Sequence, residues 1–326
     1  MRKVVVIGLG SMGKRRIRII RKLDPAIEVI GVDLLEERCN ESQRLFGIRT
    51  FGKLENVWDK SVQCAFICTS PLSHAELITK CLKKGVHVFS ELNLIDKSYE
   101  ENIQLAKKKQ LVLFLSSTFL YRKEVQYIQK AVNASKSELT YSYHVGQYLP
   151  DWHPWEDYRE YFVSKHSSNA CRELMGIEFP WLCMIFGKVL KFHVIKGKKS
   201  TLDISYPDSY CILLEHENGV QGNFLVDIIS RKPVRNLEIF GEDFYLVWDG
   251  SANGLKEYDI EQKKEKYIKL YDSVDVQKES PSFIVENAYY DEVETFFSLV
   301  RGRGEALYCF EDDKEVLRLI DGIESE

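Results

Sequence analysis

The chain has 326 residues, enough for two domains that each bury a core, and its 44% hydrophobic and 29% charged content excludes a disordered or fibrous protein. A net charge of −4 offers no general attraction for nucleic acid, and no apolar run approaches the roughly eighteen residues of a membrane span. Eight cysteines are scattered without a Cys-x-x-Cys pair, and the N-terminus runs directly into "VVVIG", so a reduced, cytoplasmic protein without a metal site or leader peptide is expected.

Through about residue 119, short apolar runs alternate with helical patterns. The runs are "KVVVIG" (3–8), "EVIGVD" (28–33), "CAFICT" (64–69), "VHVFSE" (86–91) and "LVLFLSS" (111–117). They are apolar almost throughout, as strands of a parallel sheet covered on both faces must be. The first opens into "GLGSMG", in which Gly8, Gly10 and Gly13 fill a G-x-G-x-x-G with Ser11 and Met12 between them. Such glycines make a tight turn, admit a pyrophosphate to the backbone and let the helix close on the strand, while the free amides at the helix start face the phosphates.

Asp33 ends the second run twenty residues after Gly13, where a carboxylate accepts the adenosine ribose hydroxyls and repels a 2′-phosphate. NAD is therefore expected over NADP. Thr69, Ser70 and Pro71 follow the third strand at the carboxyl edge of the sheet, on the cofactor side; His74 either caps the next helix or reaches the ligand. The run "KRRIRIIRK" (14–22) reads as a helix with buried isoleucines and a solvated basic face.

From about residue 138 the period changes to alternation, with Asn218-Gly219 as a hairpin turn inside "YCILLEHENGVQGNFLVDII". An α+β domain with a large open, mainly antiparallel sheet is expected, with a helix at "ELMGIEFPWLCMIFG" and two closing helices near 284–301 and 312–323. The expected domains are residues 1–120, an α/β Rossmann domain, and residues 121–326.

Together, "VVVIGLGSMGKRR", "ICTSPLSHAELITKCLKKGVHVFSE", "STFLYRKEVQYIQKAV" and "YYDEVETFFSLVRG" resemble the Gfo/Idh/MocA oxidoreductases, the glucose-fructose oxidoreductase and inositol dehydrogenase family. The resemblance implies oxidation of a hydroxyl on a sugar, aminosugar, nucleotide sugar or cyclitol, with a second domain that binds substrate. It also implies a homodimer or homotetramer built through the open sheet, which agrees with an alternating face that needs cover.

Two departures stand out. The family's Glu-Lys-Pro segment, whose lysine works beside the nicotinamide, is here Glu91, Leu92 and Asn93. The resemblance keeps Glu91 in the nicotinamide pocket. The family's His-x-x-Asp pattern is matched by Ile177 and Pro180, leaving Glu173 and Glu178 as the titratable groups on that helix, with Arg172 beside them. Replacement proton carriers are Glu178, Glu173, His153 and Tyr158, the last two in "DWHPWEDYREY" (151–161). Trp152, Trp155, Asp157 and Arg159 of that segment suit a carbohydrate, the rings for its CH faces and the charges for hydroxyls or an acid group. Arg122 matches a family arginine near the active site. Two functions compete: an NAD-dependent oxidoreductase, and a non-catalytic family member that senses NAD or a sugar.

Overall fold

A computed structural model describes residues 3–154, 156–275 and 284–326. The chain divides into two compact units, Met1–Ser117 with Tyr289–Lys314, and Thr118–Ala288 with Glu315–Glu326. The expected second domain, 121–326, did not include this return of residues 289–314 to the first unit. Its cause is aromatic packing: Phe296 lies edge-on to Phe66 and Phe89, with ring centroids 5.3 and 5.5 Å apart.

The described part of unit 1 holds β1 (Lys3–Ile7), α1 (Ser11–Leu23), β2 (Glu28–Val32), α2 (Glu36–Phe46), β3 (Arg49–Phe51), β4 (Val62–Ile67), α3 (His74–Lys83), β5 (His87–Ser90), α4 (Tyr99–Lys109) and β6 (Leu113–Leu115). The strands pair in parallel in the order β3-β2-β1-β4-β5-β6, the doubly wound arrangement in which ligands bind outside the carboxyl ends of the strands. Val4, Val5, Val6, Phe66 and Phe89 have no exposed surface, which accounts for runs without alternation. Gly85 takes φ +80° just beyond α3, as a helix-ending glycine does. In α1, Arg15 and Arg16 are buried along with Ile17, Ile19 and Ile20, so the basic run does not form a solvated face throughout.

The described part of unit 2 holds α5 (Lys123–Ala134), β7 (Thr140–Gly146), α6 (Ala170–Phe186), β8 (Val189–Gly197), β9 (Ser209–His216), β10 (Gln221–Asp227), β11 (Val234–Gly241), β12 (Phe244–Trp248), β13 (Leu255–Asp259) and β14 (Lys264–Tyr267). Their sheet order is β14-β13-β12-β11-β7-β10-β9-β8, antiparallel except where β10 meets β7. Gly219, at φ +85°, makes the β9–β10 hairpin. One face packs Tyr141, Tyr143, Ile212, Phe224 and Ile239; on the other, Leu190, Ile195 and Leu213 are exposed. α7 (Glu286–Val300) and α8 (Phe310–Ser325) close the chain. No described helix is long and apolar enough to cross a membrane.

Candidate functional site

In unit 1 the site is built on the turn from β1 into α1. Gly8 adopts φ +91°, and a Cβ there would lie 2.7 Å from the Cys68 carbonyl group. A Cβ on Gly13 would lie 1.9 Å from the Gly8 carbonyl oxygen, so both positions require glycine. A Cβ on Gly10 would meet, beyond its chain neighbours and among the described residues, only Arg38 Nη1 at 3.7 Å, which leaves room for a ligand to approach the backbone. Among the described residues no side chain caps the start of α1. The amides of Ser11, Met12 and Gly13 thus open the helix without intrahelical acceptors, a setting that suits a pyrophosphate.

Asp33 is fixed beside this turn. Its Oδ2 accepts the Leu9 amide at 2.8 Å and its Oδ1 the Leu35 amide at 2.9 Å. A carboxylate has about four acceptor positions, so two bonds leave capacity for a ribose diol. Arg38 Nη1 stands 4.0 Å from Oδ2. Glycine turn, open helix start and anchored carboxylate together fit a dinucleotide.

Beyond β4, the Thr69 and Ser73 hydroxyls lie 2.7 Å apart, and Pro71 begins a single 3-10 turn, Pro71–Ser73. His74 is buried, with Nε2 2.9 Å from the Thr69 carbonyl oxygen and Nδ1 2.8 Å from Asn93 Oδ1. Burial lowers its pKa and favours the neutral ring. The carbonyl can only accept, so Nε2 carries the hydrogen, and an Asn93 turned to present its NH2 group would satisfy Nδ1. Both ring nitrogens are thus engaged within unit 1, which corrects the two expected roles: His74 ties the chain after β4 to the chain after β5. The Glu91 carboxylate is likewise taken up, by Arg16, with Nε–Oε1 2.5 Å and Nη2–Oε2 3.1 Å.

In unit 2, α6 starts at Asn169, whose side chain accepts the Arg172 amide at 2.8 Å. Through its first thirteen residues every side chain is buried except Glu173 and Ile177, which are partly exposed. Four residues apart, they share one face of the helix. Burial pushes the Glu173 carboxyl up to about 7. Burial first, and then the Glu173 charge, holds the Tyr161 hydroxyl well above its ordinary value, and among the described residues that hydroxyl has no hydrogen-bond partner.

Glu178 has a different position. It has no exposed surface; Oε1 accepts Arg235 Nε and Nη2 at 3.0 and 2.8 Å, and Oε2 accepts the Tyr143 hydroxyl and Trp181 Nε1, each at 2.7 Å. Four donors saturate it, so the expectation that it carries a proton is corrected: Glu178 braces α6 against β7 and β11. Arg172 pairs with Asp321 at 2.7 Å and Glu324 at 2.5 Å, and Arg122 with Glu124 at 2.9 Å and the Gly250 carbonyl oxygen at 3.1 Å. Both arginines are buried and hold elements of unit 2 together, in place of the substrate contacts expected of them.

In the 151–161 segment, Trp152 Nε1 donates to the Gln147 carbonyl oxygen at 3.2 Å, and the Tyr158 hydroxyl accepts the Asp203 amide at 3.1 Å. His153 meets the Tyr161 ring edge-on at 5.5 Å, and burial lowers its pKa. Asp157 and Arg159 pair with each other at 2.5 Å near the surface. Trp155 lies outside the described residues. Among the described residues, no group of three or more His, Cys, Asp or Glu could hold a metal ion.

A family model described as "Oxidoreductase family, NAD-binding Rossmann fold" matches residues 2–117. The model that matches these residues is that of the Gfo/Idh/MocA oxidoreductases. Myo-inositol 2-dehydrogenase of Thermotoga maritima is 24% identical, over 97% of this chain and 93% of the relative. Among solved structures, levoglucosan dehydrogenase in complex with NADH superposes with a TM-score of 0.81 at 16% identity, covering 99% of this chain and 96% of that one. UDP-N-acetylglucosamine 3-dehydrogenase from Acidithiobacillus ferrooxidans gives 0.75 at 17% identity, with the same coverage. At these identities the superpositions speak for the fold.

Sequence reasoning did not single out Arg16, Glu292, Tyr161 or Arg235. Arg16 sat in a run read as basic surface, and Tyr161 inside the quoted aromatic segment. Glu292 and Arg235 had no local signal.

Proposed function

We propose that this protein is an NAD-dependent oxidoreductase that oxidises a hydroxyl of a sugar, aminosugar, nucleotide sugar or cyclitol. The glycine turn with the anchored Asp33 carboxylate carries the cofactor half of the reading, and Asp33 favours NAD over NADP. The substrate half is supported by the match of residues 2–117 to the Gfo/Idh/MocA model, by a relative named as an inositol dehydrogenase, by a fold shared with levoglucosan and UDP-N-acetylglucosamine dehydrogenases, and by the aromatic and charged 151–161 segment.

A dinucleotide held on the glycine turn and Asp33 would supply the hydride acceptor. Glu173 would take the hydroxyl proton while the carbinol C–H gives up its hydride, so that the alcohol loses one hydride and one proton, two electrons and two protons in all, to become a ketone. Glu173 suits the task because it lies one turn before Ile177, which stands at the family's histidine position, on the one partly open stripe of that part of α6. A carboxyl near 7 can both accept and return a proton at neutral pH. Tyr161 offers a second hydroxyl close to that charge. Leu92, partly exposed at the position the resemblance gives to the family's lysine, offers no proton of its own. A second copy of the chain covers the Leu190, Ile195 and Leu213 face of the open sheet.

The alternative of a non-catalytic NAD or sugar sensor is favoured by one observation: Leu92, Ile177 and Pro180 together remove three polar groups of the family's site. Titration calorimetry with NAD, followed by assays at 340 nm with sugars, nucleotide sugars and cyclitols, separates the readings. Binding with turnover supports the enzyme; binding with no turnover on any substrate supports the sensor; absence of binding contradicts both.

A further inference from the structure

Arg16 has no exposed surface, rare for an arginine in a basic run. Besides its two bonds to Glu91, its Nη2 reaches Glu292 Oε2 at 2.8 Å and Ser116 Oγ at 3.1 Å. Its guanidinium lies 4.5 Å over the Phe89 ring and 5.2 Å from the Tyr289 ring. Glu292, on the part of α7 in unit 1, is also without exposed surface, and its Oε1 accepts the Ser116 hydroxyl at 2.9 Å and the Ser117 amide at 2.8 Å. The groups facing Glu292 include Arg16 from α1, Glu91 after β5, Ser116 and Ser117 after β6, and Tyr289 from its own helix. Cys68, after β4, faces Glu91 at 3.9 Å, and Arg15 lies over Tyr289 at 4.6 Å.

Two carboxylates thus share one guanidinium. With both ionised the knot is anionic; with Glu292 protonated it is neutral. Burial raises the Glu292 pKa against the opposing pull of Arg16, so the change of charge falls above the ordinary carboxylate range. Of the three charged side chains only Glu91 keeps any surface, 12% of its side chain, and it follows β5 at the carboxyl edge where doubly wound sheets take their ligands.

We propose that the Arg16–Glu91–Glu292 knot makes unit 1 sensitive to the charge of the dinucleotide's ring, favouring the oxidised, cationic nicotinamide over the reduced, neutral one. Arg16 and Glu292 are positioning residues: they hold Glu91 in place and set the net charge behind it. The inference rests on the dinucleotide reading above. By linkage, whatever makes the knot more negative must tighten the cationic form selectively, and binding of that form must in turn release the Glu292 proton.

Equilibrium binding of NAD, NADH and ADP-ribose to the full chain between pH 6 and 9 tests it. ADP-ribose lacks the nicotinamide and reports phosphate and ribose contacts alone. The preference for NAD over NADH is expected to rise roughly three- to tenfold with pH, as an added charge nearby requires, while ADP-ribose affinity stays level. Glu292→Gln is expected to flatten that rise. Ser116→Ala, a milder change that removes a donor to the ionised carboxylate, is expected to move the rise to higher pH. A flat wild-type preference, an unaltered rise in Glu292→Gln, or ADP-ribose affinity that follows the same curve would overturn the inference. Absence of all dinucleotide binding would overturn the cofactor reading with it, whereas tight binding with a flat preference would overturn this inference alone.

Discussion

Arg235 donates two hydrogen bonds, at 2.8 and 3.0 Å, to a single oxygen of Glu178, and the two side chains are enclosed within unit 2 with Tyr143 and Trp181 on the other oxygen. Truncating one partner of a buried pair leaves the other charge uncompensated, whereas replacing both by apolar groups removes the desolvation cost. Glu178→Ala is expected to lower stability to urea by about 3–5 kcal/mol. A Glu178→Leu, Arg235→Met double variant is expected to recover most of that loss. A Glu178→Ala protein as stable as wild type would contradict the bracing role.

Glu173 shifts the opposite way from a paired carboxylate. Its folded pKa of about 7 lies above the unfolded value, so between the two the folded state holds more protons. Its contribution to stability is intact below the unfolded pKa and declines as pH rises to about 7, then levels. Glu173→Gln is expected to match wild type near pH 4 and to exceed it near pH 8 by roughly 1–3 kcal/mol, the lower part of the range reflecting partial exposure. Thermal denaturation at the two pH values checks this.

Asp33 is held beside the glycine turn by its bonds to the Leu9 and Leu35 amides. Asp33→Ala is expected to weaken NAD binding by about 10- to 100-fold, the loss of charged hydrogen bonds to a ribose. Asp33→Ser is expected to lower the preference for NAD over NADP by about tenfold or more, because the repelling carboxylate is gone while Arg38 remains. Calorimetric titration with both cofactors measures each.

On the open sheet, β8 and β9 place His193 opposite Leu213 and Ile195 opposite Cys211, and Ile195 is 78% exposed. A charge in such a patch opposes self-association. Ile195→Asp and Leu213→Asp are each expected to shift the protein from a dimer or tetramer towards monomer in sedimentation velocity, with unchanged circular dichroism.

Much of this was readable from the sequence. The glycine spacing, the buried strands and the Asn218-Gly219 hairpin are local signals, and each element formed where its period changed. β3 escaped because Arg49–Phe51 is three residues without an apolar run. Arg16 looked like surface because its partners, Glu91 and Glu292, are 75 and 276 residues away. Choosing between Glu173 and Glu178 was beyond the sequence for the same reason. Both are carboxylates on one helix, and only the fold brings Arg235, 57 residues on, against one of them.

The most direct test of the central claim is kcat at 340 nm as a function of pH, for wild type and Glu173→Gln, on whichever sugar or cyclitol turns over. The account predicts a wild-type rate of oxidation that rises to a plateau around pH 7, and a loss of about 10²- to 10⁴-fold in Glu173→Gln together with that rise. A Glu173→Gln enzyme with wild-type kcat and the same pH profile would contradict it.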